Sequence, residues 1–409
     1  MKLPSLNIQI LLGAAFGVLV GLLFQNTGAA GTVASGSLYT AGLIGTLFID
    51  LLKMILIPLV FCSIVVGIAN LRQHSQMHKV WVTTLIFFIL TMGIAMIVGM
   101  AASLYFKPGT GLEVSMFDGA MQNFQSKQMP LPEFFAHFLH NLFVNPFQAL
   151  AESKVLSVVI FALFLGIALV MGGDRYKNIL VLLEEGLEIT MRMVNWIMVL
   201  APYGVAALLI KLVATQDISM LGTLAEFVAV VAGTLIFHGI VVLPLILFLF
   251  TGKTPFWFWG GARQALVTAF ATSSSSATLP ITMRCATKHL HVKPEIAGFV
   301  IPLGATLNMD GTALYEAAAA LFVANLIGVE LSFAQQMIVF FTAMLASVGA
   351  PGIPSAGMVT MVLVLQSVGL PAEAIAILLP IDRMLDTLRT TVNVEGDMAA
   401  SLVVQKIVS

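Results

Sequence analysis

Asp382-Arg383-Met384-Leu385-Asp386-Thr387-Leu388-Arg389-Thr390-Thr391-Val392-Asn393-Val394-Glu395-Gly396-Asp397 follows the apolar run at 374–379, in a chain with only 10% charged residues. On a helix at 100° per residue, Asp386, Thr390, Asn393 and Asp397 fall within about 60° of one another. Arg389 lies at the edge of that stripe, and Glu395 on the opposite side. Charge within a hydrocarbon-spanning helix is expensive, so the stripe must face a partner, a water-filled cavity or a cargo. The stretch reads as a transport site.

Composition sets the class around it. Hydrophobic residues make up 59% of the 409-residue chain, too many for the available polar surface to cover, which implies a polytopic protein of the lipid bilayer. A net charge of −1 argues against nucleic acid as a partner. Cys62 and Cys285 sit in or beside apolar segments and read as two buried free thiols. The run from Ile8 to Phe24 lacks a small-residue cleavage site and reads as the first span, not a signal peptide.

Apolar segments long enough to cross a bilayer recur at 8–25, 39–70, 80–106, 134–171, 179–212 and 219–250. Five of the six exceed the ~20 residues a crossing needs, so they must tilt, kink or project from the membrane. The stretch 107–133, rich in Gly, Gln, Pro and Met, reads as an external loop. Beyond residue 255 the pattern changes. Segment 256–284 is interrupted by the serine-rich 272–278, 295–327 by Asn308-Met309-Asp310-Gly311-Thr312, and 333–369 by the Gly/Pro-rich 349–357. A polar-tipped segment followed by a polar-broken helix, twice in succession, suggests an internal repeat. Non-helical backbone survives at membrane depth only where it lines a cavity or is buried in protein. Paired interruptions in two halves therefore point to a transporter's binding site.

Basic residues fix the topology. If 256–284 and 333–369 are hairpins that turn back, then Lys2, Arg72, Lys79, Arg175, Lys177, Lys253, Arg284, Lys288, Lys293 and Lys406 share one face. The other face keeps only Lys107 and Lys127. The positive-inside rule then places both termini in the cytoplasm. Full crossings would instead put Arg284, Lys288 and Lys293 outside.

Four motifs in order, SSSSATLP at 273–280, NMDGT at 308–312, GIPSAG at 352–357 and DxxRTxxNxxGD at 386–397, resemble the glutamate transporter family of dicarboxylate/amino acid:cation symporters. The resemblance covers essentially the whole chain. It implies an all-α fold of eight transmembrane helices plus two re-entrant helical hairpins, built as inverted repeats. It also implies a homotrimer in the cell (inner) membrane. A scaffold domain would comprise 8–75 and 134–214. A mobile transport domain would comprise 80–107 and 218–406, with hairpin 1 at 255–290 and hairpin 2 at 333–369.

The family's functional residues carry over by position. Arg389, a planar and always-charged fork, would hold the side-chain carboxylate of glutamate or aspartate. Asp386 would accept the cargo's amino group. Thr312, Thr390 and Asn393 would surround the cargo, with hairpin contacts from Ser275, Gly352, Ile353 and Gly357. An Asp386–Arg389 pair that merely neutralises itself is the structural alternative.

Sodium, a hard cation, needs converging oxygens, which an unwound helix supplies as free carbonyls. By resemblance one sodium site uses Gly304, Asn308, Asn393 and Asp397. A second uses Thr306, Met309, Ser347, Val348 and Ala350, and a third Asp310, Asn308 and Thr91. Phe88 and Met92 stand where archaeal members carry a tyrosine and a serine, so the third site loses oxygen. Glu316 matches a proton carrier of animal and some bacterial members. An arginine that usually stands before the three hairpin serines or directly after the last helix's aspartate is replaced here by Ser273 and Thr387.

These residues imply acidic amino acid symport with sodium and protons. The alternative within the family is a neutral amino acid or C4-dicarboxylate carrier coupled to protons alone. Arg389 disfavours neutral cargo, and Asp386 disfavours cargo without an amine. A channel would need a continuous polar pore, whereas the polar residues cluster at two tips. A serine hydrolase would need a base near Ser274–Ser276, and His238 is the one histidine deep in a span.

Overall fold

Glycine spacing sets the packing of the first helix. Gly13, Gly17 and Gly21 recur every four residues on one face of α1 (Leu6–Thr27), and all three meet α6 (Lys177–Thr215). A Cβ at Gly17 would lie 2.7 Å from the Ala206 carbonyl oxygen, so only glycine permits this approach. Close backbone contact of this kind is how helices associate in lipid, where no hydrophobic drive remains between them.

The computed structural model describes residues 6–27, 32–69, 78–110, 140, 143–152, 155–215, 219–348, 350, 352 and 356–408. Among these there are helices and connections but no strands. In chain order follow α2 (Thr32–Ala69), α3 (His78–Phe106), the short α4 (Pro146–Ala151) and α5 (Val155–Gly172), then α6. After α6 come α7 (Ser219–Phe237) and α8 (Leu243–Thr251), joined by a widened helical turn at His238–Val242. The last third holds α9 (Pro255–Thr272), α10 (Ser275–Arg284), α11 (Pro294–Leu307), α12 (Asp310–Leu326), α13 (Phe333–Val348), α14 (Ala356–Ser367) and α15 (Ile375–Val408).

Large apolar side chains cover the exterior: Phe16 is 58% exposed, Leu249 69% and Phe256 84%, a surface suited to lipid and not to water. Among the described residues, the helices at Lys79–Phe106 and Gly222–Thr251 are long and apolar enough to cross a bilayer unaided. The segments expected at 39–70 and 179–212 become helices of 38 and 39 residues, each carrying a proline, Pro58 and Pro202. Most of the expected segment 134–171 up to residue 142 lies outside the described residues.

Helix α6 packs against α1 and α2, and α5 packs against α2. Helix α12 packs along α3, and α15 contacts α3 and the helices from α7 to α12. Apart from its last turn, every residue of α12 is buried, Asp310, Thr312 and Glu316 included; its Ala317-Ala318-Ala319-Ala320 run lets neighbours close in.

Three chain breaks position the site. Between α9 and α10, Ser273 adopts φ +50°, and Ser274 caps α10 by accepting from the Ala277 amide at 3.1 Å. Between α11 and α12 the helix unwinds at Asn308 and Met309, where the NMDGT motif places the break. Between α13 and α14, Ala350 and Gly352, the described residues of 349–355, are not helical. Helix α9 packs on α10, and α13 on α14, so each of the first and third breaks is the tip of a packed helix pair. The two tips meet: the Ser276 amide and the Ser274 hydroxyl donate to the Gly352 carbonyl at 3.0 and 2.7 Å.

Candidate substrate and cation site

The three breaks and the polar stripe of α15 enclose a tight cavity of about 10 Å³, room for about one water molecule. It is lined by Ser273, Ser275, Met309, Thr312, Ala350, Gly352, Gly357, Asp386, Thr390 and Asn393. Seven of the nine expected cargo contacts thus converge on one space. Arg389 lies just behind that lining, and Ile353 lies outside the described residues.

The stripe folds as its periodicity requires. Asn393 links α15 to the first turn of α12: its Oδ1 accepts from the Gly311 amide at 2.8 Å, and its Nδ2 donates to Thr312 Oγ1 at 3.2 Å. The helices touch because residue 311 is glycine, where a Cβ would stand 2.6 Å from the Arg389 carbonyl oxygen. Glu395 points away from the cavity and accepts from Trp259 Nε1 at 2.9 Å.

Arg389 is fully buried, with its guanidinium 4.1 Å above the Tyr315 ring, a cation–π arrangement. Its Nη2 donates to Asp386 Oδ1 at 2.9 Å and to Asp382 Oδ1 at 2.6 Å. The pairing raised as the structural alternative is therefore present, but it uses one nitrogen. Nη1 and Nε are buried and make no hydrogen bond among the described residues. A Cβ on Gly357, in the cavity wall, would lie 3.0 Å from Nη1. Buried donors are normally satisfied, so half of the fork awaits an acceptor at the cavity wall.

The first cation set is partly assembled. Asn308 Nδ2 donates to Asp397 Oδ1 at 3.1 Å, and Gly304 lies so close to that carboxylate that only glycine fits there. Asn308 Oδ1 is buried with no hydrogen-bond partner among the described residues. Asn393 Oδ1, by contrast, is directed to the Gly311 amide. The second set, Thr306, Met309, Ser347, Val348 and Ala350, lies at the α11–α12 break and the end of α13. Two of its carbonyls already accept amides, Met309 from Ala313 at 2.8 Å and Ser347 from Ala350 at 3.1 Å.

The third set fits poorly. Both oxygens of Asp310 are engaged, Oδ1 by the Thr91 hydroxyl and Oδ2 by His238 Nε2, each at 3.1 Å. Met92 accepts a hydrogen bond from the Ser347 hydroxyl at 3.0 Å, and Phe88 is buried in the apolar core. His238 thus serves Asp310 and not the hairpin serines, which removes the base a serine hydrolase would need. Glu316 is fully buried; its Oε1 accepts from the Thr360 hydroxyl, while Oε2 makes no hydrogen bond among the described residues.

Sequence comparison extends these local findings. The family model for the sodium:dicarboxylate symporter family matches residues 6–407. Mouse excitatory amino acid transporter 3 is 34% identical over 410 residues, covering 89% of this chain and 78% of the relative. Rabbit neutral amino acid transporter B(0) is 34% identical over 427 residues, covering 96% and 78%. A putative sodium-dependent excitatory amino acid transporter of Caenorhabditis elegans, glt-4, is 34% identical over 416 residues, covering 89% and 82%.

Proposed function

We propose that this chain, which belongs to the sodium:dicarboxylate symporter family and is a transporter rather than an enzyme, carries acidic amino acids into the cell. L-Glutamate and L-aspartate are the cargo, and sodium and proton gradients drive it. Relatives named for excitatory and for neutral amino acids are equally similar at 34%, so identity does not choose the cargo class. Arg389 does. A buried guanidinium whose unpaired Nη1 borders the cavity wall suits a cargo with a second carboxylate; a neutral side chain would leave that donor stranded. Asp386, on the cavity wall, receives the cargo's ammonium group.

Sodium enters beside Asp397 and Asn308, where the orphaned Asn308 oxygen supports the assignment, and at the backbone oxygens of the α11–α12 break. The crowding around Asp310 favours fewer than three sodium ions per cycle. Gly352 bridging the hairpin tips supports a gate of 333–369 closing over the cargo. The packing of α6 on α1 and α2, and of α5 on α2, supports their assignment as a scaffold, past which the rest moves as an elevator. Eight spans with two re-entrant hairpins, cytoplasmic termini, a homotrimer and an inner-membrane location complete the proposal. Isothermal titration of the purified protein with aspartate, with and without sodium, tests it; heat of binding only in sodium is expected.

Glu316 carries the proton. Its Oε2 has no donor among the described residues, and a proton on the carboxyl spares the protein an uncompensated buried charge. Cargo binds with that proton in place, so wild-type affinity should fall as pH rises. Glu316→Gln mimics the protonated state and should retain aspartate binding while flattening this dependence. Equal pH profiles for wild type and variant, measured by titration across neutral pH, would remove Glu316 from the role.

A further inference from the structure

Both oxygens of Asp386 are held by arginines. Arg389 Nη2 lies 2.9 Å from Oδ1, and Arg383 Nη1 lies 3.1 Å from Oδ2. Because Arg389 also reaches Asp382, four charges alternate in space: Asp382, Arg389, Asp386, Arg383. All four side chains are buried, and their charges sum to zero. Among the described residues that line the cavity or stand nearest Gly357, Arg389 is present and Arg383 is not. Arg383 therefore serves Asp386 and not the cargo's carboxylate.

This arrangement bears on selectivity. A buried carboxylate left without a cation is costly. With Arg383 in place, Asp386 stays compensated whether or not the cargo brings an ammonium group. An ammonium that does arrive must displace or share Oδ2. Cargo with an amine gains less, and cargo without one loses less, than at an aspartate lacking this arginine. We propose that Arg383 is a specificity-determining residue that, by holding Oδ2 of Asp386, competes with the cargo's ammonium and sets how strongly the site demands an amino group. The proposal rests on the acidic-cargo reading, in which Asp386 receives that ammonium.

The test is calorimetric, on the purified full-length protein in saturating sodium, with aspartate and with succinate, its analogue without the amine. In Arg383→Gln the ratio of succinate Kd to aspartate Kd should rise by about tenfold or more, since Asp386 then depends on the ammonium for compensation. Arg383→Lys keeps the charge but not the fork, and its ratio should fall between. A residue with a merely structural role would weaken both ligands alike and leave the ratio unmoved. A ratio that falls or stays within about twofold of wild type overturns the proposal, as does a wild type that binds no succinate at millimolar concentration. Should Arg383→Gln fail to fold, Arg383→Lys decides alone, and an unchanged ratio rejects the idea. Absence of aspartate binding in the wild type would instead overturn the acidic-cargo reading.

Discussion

Arg389→Cys should abolish acidic amino acid uptake and admit neutral amino acids. The substitution removes the buried guanidinium whose Nη1 borders the cavity wall at Gly357. It also strips one cation from Asp382 and Asp386, although Arg383 still serves the latter. Truncating one partner of a buried charge pair costs about 2–5 kcal/mol, so aspartate affinity should fall by at least ~30-fold. The shorter side chain leaves room for an uncharged cargo whose ammonium still finds Asp386. Binding of labelled aspartate and of labelled serine or alanine to the purified variant measures both effects. Near-normal aspartate affinity would remove Arg389 from the carboxylate-binding role.

The second large effect is expected at Asp397. Asp397→Asn keeps a side chain of the same shape beside Asn308 but withdraws the charge that a sodium ion would balance. The sodium concentration giving half-maximal aspartate binding should rise about tenfold or more, equivalent to ~1.4 kcal/mol. Gly304→Ala should act in the same direction, because its methyl group would displace the Asp397 carboxylate and press on Phe88, whose Cζ would lie 3.2 Å away. Titration of aspartate binding against sodium reads both variants. Sodium dependence unchanged in Asp397→Asn would place the ion elsewhere.

Local pattern made much of this site legible. Helical periodicity put Asp386, Thr390, Asn393 and Asp397 on one face, and the first three line the cavity together. Proline, glycine and serine clusters marked the three breaks, because such residues stop helices within otherwise apolar runs. Asp382 was also within reach of reasoning: it stands seven residues before Arg389, two helical turns away on the same side. The substitutions at Phe88 and Met92 already signalled a third cation set short of oxygen.

Other features depend on tertiary packing that no local pattern contains. His238 and Asp310 are 72 positions apart, and their pairing follows from how α7 and α8 lie against α12. Ser274 meets the Gly352 carbonyl across 78 positions, and Ser347 finds the Met92 sulfur across 255. One signal for the histidine did exist: a lone histidine and a lone aspartate deep in apolar spans each require a polar partner, which makes each the other's candidate. Arg383 was less readable. Its three-residue spacing from Asp386 permits a bond, but whether it turns to that carboxylate or away is decided by the neighbouring helices.

Labelled aspartate uptake into proteoliposomes under an imposed inward sodium gradient, an imposed inward proton gradient, or both tests the central claim most directly. Accumulation above equilibrium is expected with the sodium gradient alone, increased by the proton gradient and competed by unlabelled glutamate but not by alanine. A failure of the sodium gradient to drive accumulation at any pH, or competition by alanine as strong as that by glutamate, would contradict sodium-coupled transport of acidic amino acids.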